Sequence, residues 1–181
     1  YFKAQKAILS CGLGSTATMV IGFDETLEER LDHLERLRNF QESLPVKLPS
    51  FLCWSYKSEN TRLGGAEISH EAYLRWLAVC RIYLDNFLHI RTSILTQNKR
   101  GFEGLLFGAD DFDLPTEDEV TENAGASISH DFKDLLTHCE SLGITPTKRQ
   151  GLFLKDPRNV ISSLPFFPMQ TELPSKDSVL N

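Results

Sequence analysis

Long apolar runs, a basic stripe and paired cysteines are all missing from this 181-residue chain. No segment reaches the roughly 18 apolar residues of a membrane span, which speaks against a membrane partner. Lys and Arg total 19 against 25 Asp and Glu, a formal charge of −6. That balance speaks against nucleic acid, whose recognition needs a positive surface. The four cysteines, Cys11, Cys53, Cys80 and Cys139, show no C-x-x-C spacing. Neither a disulfide framework nor a metal knuckle is expected, no residue is expected to ligate a metal, and a reducing cytoplasm fits best. Three motifs fall short. "HEAYL" at His70 lacks the second histidine of a zinc protease, and "DDFDLPTEDE" has no glycine at the sixth position of a calcium loop. "GLGS" at Gly12 precedes a strand instead of following one, so it is no dinucleotide fingerprint.

What is present is a soluble, core-forming composition, 41% hydrophobic with twelve Phe, arranged as alternating strands and helices. "YFKAQKAILSCG" reads as the end of a helix stopped at Gly12. "STATMVIGF" is a strand, and "DETLEERLDHLERLRNFQESL" a helix with Leu27, Leu31, Leu34 and Leu37 near one face. Thr26 and Glu29 have capping-box spacing. After the "LPVKLP" linker come the strand "SFLCWSYK" and the polar loop "SENTRLGG". The next helix, "HEAYLRWLAVCRIYLDNF", is capped by Ser69, with Ile68 and Tyr73 spaced as a hydrophobic staple. "HIRTSIL" is a third strand, "NKRGFEGLLF" a short glycine-weakened helix, "GADDFDLP" a fourth strand running into a solvated acidic loop, and "SHDFKDLLTHCESLG" an amphipathic helix. His33, His130 and His138 fall on helical stretches and read as surface or boundary residues.

Strand and helix in regular alternation imply parallel pairing through right-handed crossovers. The first three strands recur at about 37 residues, close to one unit of a (β/α)8 barrel, which needs about 250 residues in all. The expected fold is therefore α/β: a partial TIM barrel, its C-terminal half, with about four parallel strands and flanking helices over residues 1–150. Residues 151–181, with Pro157, Pro165, Pro168 and Pro174, lack periodicity and read as an irregular extension.

Strand alternation places Thr16, Thr18, Val20 and Gly22 on one face, and His89, Arg91 and Ser93 on one face of the third strand. A cation and an imidazole on a buried strand are costly unless paired or wet. They read either as lumen groups for a ligand or as ion-pair partners of Asp110, Asp111 or Asp113. Gly22 ends its strand where barrels bind ligands, and without a Cβ it lets a flat ring approach the backbone. Glu25 follows at the mouth, where its charge also favours the helix start.

These pieces resemble the C-terminal half of a radical S-adenosylmethionine (SAM) barrel of the menaquinone (futalosine) and deazaflavin synthase group, most nearly the dehypoxanthine futalosine cyclases. The similar segments are "STATMVIGFDETLEERLDHLERLRNFQ", "SENTRLGG", "YLRWLAVCRIYLDNFLHIRTSILTQ", "LLFGADDFD" and "AGASIS", covering about residues 12–150. The resemblance implies that Val20 and Gly22 flank the adenine of SAM, with Thr18 where many members have glycine and Glu25 completing the junction. It implies that Asn60, Arg62, His89, Arg91, Thr96, Gln97, Asp110 and Asp111 contact a nucleoside-derived small-molecule substrate. Implied cofactors are SAM and a 4Fe-4S cluster, and the implied partner is an electron donor of flavodoxin or ferredoxin type. The family's C-x-x-x-C-x-x-C motif does not occur in this chain. The chain alone is thus expected to be inactive, a fragment of an enzyme that cyclises dehypoxanthine futalosine through a 5′-deoxyadenosyl radical. The alternatives are an aminofutalosine synthase or FO synthase-type enzyme and, from another class, a non-catalytic half-barrel binding module. No catalytic residue can be assigned.

Overall fold

The computed structural model describes residues 1–63, 66–115 and 119–149. Its elements follow the order α1 (Phe2–Ser10), β1 (Ala17–Ile21), α2 (Leu27–Ser43), β2 (Ser50–Ser55), α3 (His70–Tyr83), β3 (His89–Thr92), α4 (Ile94–Gln97), a 3-10 helix (Asn98–Phe107), β4 (Asp111–Phe112), α5 (Glu119–Asn123) and α6 (Phe132–Ser141). The expected extension, 151–181, lies outside the described residues.

Local chemistry sets the helix starts. Thr26 is extended, its hydroxyl accepts from the Glu29 N–H at 3.2 Å, and Glu29 Oε2 accepts from the Thr26 N–H at 2.8 Å. This reciprocal capping box stabilises α2 by about 1 kcal/mol. Leu34, Leu37 and Phe40 form the inner face of α2, whereas Leu27, placed on that face by its spacing, is 62% exposed in the first turn. On α3, Ser69 Oγ accepts from the Ala72 N–H at 3.2 Å. Tyr73, Leu74, Trp76, Leu77 and Cys80 turn inward. The helix ends at Tyr83, short of the Phe87 that its pattern suggested, and Ile82 faces solvent.

The four strands form one parallel sheet in the order β1-β2-β3-β4, with helices in the crossovers: a partial (β/α)8 barrel. One face buries Ala17, Met19, Ile21, Phe51, Cys53 and Ile90 against α2 and α3. A second cluster of Ile94, Phe102, Leu135 and Cys139 seats α6 on the 3-10 helix. Tyr73 joins the layers: its hydroxyl donates to the Cys53 carbonyl at 3.1 Å and accepts from the Ser93 N–H at 3.0 Å.

Three spans differ from the sequence expectation. The strand "HIRTSIL" stops at Thr92, because Ser93 Oγ accepts from the Thr96 N–H at 3.1 Å and opens α4. The segment "NKRGFEGLLF" is a 3-10 helix, and the strand within "GADDFDLP" is reduced to two residues. The acidic segment is more than a solvated loop, since it contains α5. His130 lies ahead of α6 and is exposed.

Candidate functional site

The register of the sheet fixes which side chains share the face opposite α2 and α3. Thr18 pairs with Leu52, Leu52 with Arg91, and Arg91 with Asp111, so these four form one row across all four strands. Paired residues in a parallel sheet point to the same side. Two residues further along, Val20 pairs with Trp54, and Gly22 follows beyond the end of β1. Thr18, Val20, Arg91 and Asp111 are thereby brought together on the inward face, below the carboxyl ends of the strands.

Arg91 is 6% exposed. Its Nε stands 3.6 Å from Asp111 Oδ2, an ion pair too long for a hydrogen bond, and its Nη2 pairs with Asp113. Arg149 reaches the same carboxylates, at 3.2 Å to Asp111 and 2.9 Å to Asp113. Burial pushes the Arg91 pKa below its ordinary value; Asp111 opposes this and Arg149 adds to it. The Nε of Arg91 and Oδ2 of Asp111 are buried without a hydrogen bond among the described residues. Both atoms are ion-paired, Asp111 Oδ2 to Arg91 and Arg149, and a hydrogen bond from a polar ligand group would complete them.

His89 and Asp110 are drawn elsewhere. They sit at the amino ends of β3 and β4, bonded to each other at 3.1 Å. Asp110 also pairs with Arg81 at 2.8 Å and accepts from the Ile90 N–H at 2.9 Å. These bonds tie β3 to β4 at the end of the sheet opposite the rim.

The rim is built from the loops after β1, β2 and β3. The first two carry a non-glycine residue at positive φ, Asp24 at +82° and Asn60 at +53°, and Asn98, where α4 meets the 3-10 helix, stands at +53°. Backbone strain of this kind concentrates at functional ends of a scaffold. In the first loop, Glu25 accepts from the Gly22 N–H at 2.6 Å and from the Phe23 N–H at 2.7 Å, and pairs with Arg30 at 2.6 Å. Burial alone would raise the Glu25 pKa; the backbone N–H groups and Arg30 outweigh it, so the net shift is downward. Glu25 thus holds the turn itself. Gly22 has φ +98°, and a Cβ there would meet Ile68 Cβ at 3.1 Å. The glycine is required by its backbone conformation and by Ile68. Approach of a ring along the Cβ direction, the role read from the sequence, is closed off by that side chain.

Two cavities open here. One of about 590 Å³ is bordered by Thr18, Val20, Phe23, Glu25, Arg30 and His33, along the free edge of β1. Its volume falls within the range of small-molecule sites. The other, about 290 Å³, lies over the strand ends between Val20, Trp54, Ser55, Tyr56, Thr96 and Thr121. Its far wall is α5, which no sequence signal marked. α5 is held by bonds to the β2 loop: Asn60 Nδ2 donates to the Asn123 carbonyl at 2.9 Å and the Glu59 N–H to the Ala124 carbonyl at 3.1 Å. Asn60 therefore positions the cavity wall, Thr96 lines the cavity, Gln97 lies behind Ser55, and Arg62 is exposed on the loop. Missed by sequence reasoning were Trp54, Tyr56 and Thr121 at the cavity, Arg149 at the acidic row, and His70, which was considered only as a failed zinc motif.

A metal centre does not arise from these residues. Among the described residues no three His, Cys, Asp or Glu side chains stand together to hold an ion. Cys53, Cys80 and Cys139 are buried in the packing and Cys11 is exposed. This donor set does not fit an iron–sulfur cluster. No helix among the described residues is long and apolar enough to cross a membrane.

A half-barrel of parallel strands with a polar inward row, a cavity at its carboxyl rim and another along the free edge of β1 defines half of a β/α-barrel protein. The chain belongs to the family described as the CofH/MqnC C-terminal region, whose model matches residues 47–161. It is 34% identical over 141 residues to cyclic dehypoxanthine futalosine synthase of Streptomyces coelicolor, covering 76% of this chain and 35% of that protein. It is 32% identical over 152 residues to the protein of the same name from Halalkalibacterium halodurans, covering 82% and 41%. Aminodeoxyfutalosine synthase of Thermus thermophilus is 41% identical over 86 residues, 44% of this chain and 23% of that protein. The chain thus spans about two fifths or less of the curated relatives it matches.

Proposed function

We propose that this chain is the substrate-facing half of a radical SAM enzyme of the futalosine route to menaquinone, one that cyclises dehypoxanthine futalosine. The observation carrying the proposal is the inward row of Thr18, Leu52, Arg91 and Asp111 beneath the rim cavity, in a chain of this family. Thr18 and Val20 border the adenosine portion of SAM, with Gly22 and Glu25 fixing the turn that presents them. Bound SAM supplies the 5′-deoxyadenosyl radical for hydrogen abstraction. Arg62 and Thr96 address the substrate from the rim, Asn60 acts through α5 and Gln97 through Ser55. Arg91 and Asp111 address it from below, where a polar group taken out of water completes their hydrogen bonding. His89 and Asp110 act at a distance, by fixing β3 against β4. The contribution of these residues is positioning and exclusion of water, which for a reaction of this kind sets how near the reacting atoms are held. The cluster-ligating cysteines and the contacts to a flavodoxin- or ferredoxin-type donor belong to parts of the enzyme outside this chain, and its compartment is the cytoplasm.

In the enzyme containing this chain, Arg91→Ala should raise the KM for dehypoxanthine futalosine or lower turnover at least tenfold, with the visible absorbance of the cluster unchanged. Wild-type kinetics would reduce Arg91 to a structural ion pair. The likeness to aminodeoxyfutalosine synthase supports a second reading, in which the radical adds to an enol-ether double bond. Mass analysis of the product from each substrate separates the two.

A further inference from the structure

Behind the smaller cavity runs a chain of four polar side chains, Ser55, Gln97, His70 and Glu103, with a buried histidine in it. His70, 9% exposed, opens α3. Its Nδ1 lies 2.7 Å from Gln97 Oε1 and its Nε2 lies 3.2 Å from Glu103 Oε2. Gln97 Nε2 donates to Ser55 Oγ at 2.6 Å. Ser55 is 3% exposed and lines the cavity beside Thr96. The Thr96 hydroxyl is occupied: it donates to Ser93 Oγ at 2.9 Å and accepts from the Ser55 N–H at 3.2 Å. Ser55 therefore presents the adjustable hydroxyl of this wall.

With Glu103 ionised and every one of these bonds kept, two arrangements satisfy the chain. With both ring nitrogens facing acceptors, a carboxylate on one side and an amide oxygen on the other, His70 carries two protons. Gln97 then donates to Ser55, whose own O–H is left to donate into the cavity. When His70 is neutral, its Nε2–H stays on Glu103 and its Nδ1 becomes an acceptor. A glutamine amide turned by 180° exchanges donor and acceptor at nearly the same coordinates. Gln97 Nε2 then donates to His70, Gln97 Oε1 accepts from the Ser55 hydroxyl, and Ser55 offers the cavity only a lone pair. Glu103, whose side chain is 36% exposed, accepts the Nε2–H in both states, and the proton lost is the one on Nδ1. The charged groups on elements packed around His70 are Glu103 and Arg100 of the 3-10 helix, Glu71 of α3, and the Lys57–Glu67 pair of the β2–α3 segment.

We propose that His70 is a positioning residue whose protonation, relayed by rotation of the Gln97 amide, switches Ser55 between hydrogen-bond donor and acceptor toward the cavity ligand. Protonated, the site prefers a ligand acceptor such as a carboxylate or carbonyl oxygen; neutral, it prefers a ligand hydroxyl or N–H. The functional meaning rests on the cavity being part of the substrate site, but the switch is testable without ligand, so the two ideas fail separately.

The test is a pH titration, between 4 and 9, of the full chain carrying ¹⁵N-labelled His and Gln. The expected result is loss of one proton from His70 Nδ1, leaving the Nε2–H tautomer. The Gln97 side-chain amide signals should move along the same curve. In His70→Gln those amide signals should become independent of pH. A Gln97 amide that stays constant while His70 titrates would overturn the proposal. So would a neutral His70 protonated on Nδ1, or a ring that does not titrate at all in this range. If His70→Gln does not fold, the wild-type titration alone decides.

Discussion

Replacing Gly22 by Ala tests why that position has no side chain. At φ +98° an L-residue is strained by about 1–2 kcal/mol. The new Cβ would stand 3.1 Å from Ile68 Cβ and 3.2 Å from its Cγ2, and forcing a methyl into filled space costs about 1–3 kcal/mol. Lower entropy of the unfolded chain returns about 0.4–1 kcal/mol. Taking the lower end of the packing cost, because Ile68 is only partly buried, the net loss is about 1–2.5 kcal/mol. Gly12 supplies the control: its φ is +74° and nothing lies within 4 Å of its Cβ position. Gly12→Ala should therefore cost about 1 kcal/mol less than Gly22→Ala. Urea unfolding followed through Trp54 and Trp76 fluorescence measures both, as a fall in midpoint at constant slope. A double-mutant cycle with Ile68→Gly, which removes both the Cβ and the Cγ2, isolates the side-chain contact and should recover part of the difference. Equal losses at the two glycines, or zero coupling to Ile68, would refute the assignment. Larger side chains at position 22 would then have to be judged by ligand binding alone.

Tyr73→Phe leaves the buried Ser93 N–H and Cys53 carbonyl short of a partner and should cost about 1–3 kcal/mol in the same assay. Gly104→Ala would place a Cβ 2.4 Å from Thr92 Oγ1 and 2.7 Å from Leu77 Cδ2, and should lower thermal stability by about 1–3 kcal/mol. Because the folded Glu25 pKa lies below its ordinary 4.5, its stabilisation is complete above that value and is lost as pH falls through the folded value. Glu25→Gln should flatten that acid limb of a stability–pH curve, and an unchanged limb would move the effect to other carboxylates.

Sequence pattern made much of this fold legible, because the governing forces are local or periodic. The Thr26–Glu29 box and the Ser69 cap act over three residues. Strand alternation put Thr18 and Val20 on one face and Ala17, Met19 and Ile21 on the other, as the burial of the latter three bears out. What escaped depends on distant partners. The β-branched run of "HIRTSIL" favours a strand, yet the Tyr73 hydroxyl takes the Ser93 N–H and the chain turns into α4. Val120, Thr121 and Asn123 give α5 weak helix propensity, and the helix is pinned by the β2 loop. Alternation could place His89 on the inward face, but only the register with Ser50 shows that it lies at the amino end. The value of His70 lay in Gln97 and Glu103, 27 and 33 residues away.

The bonds from Asn60 and Glu59 to Asn123 and Ala124 make the β2 loop and α5 a single mechanical part, although more than 60 residues separate them in the chain. Gly125 reinforces this, since a Cβ there would strike the Glu59 side chain at 2.9 Å. Evolution or an engineer reshaping this wall to admit a bulkier ligand must exchange both segments as one cassette. A chimera that transplants either segment alone inherits a seam with mismatched teeth.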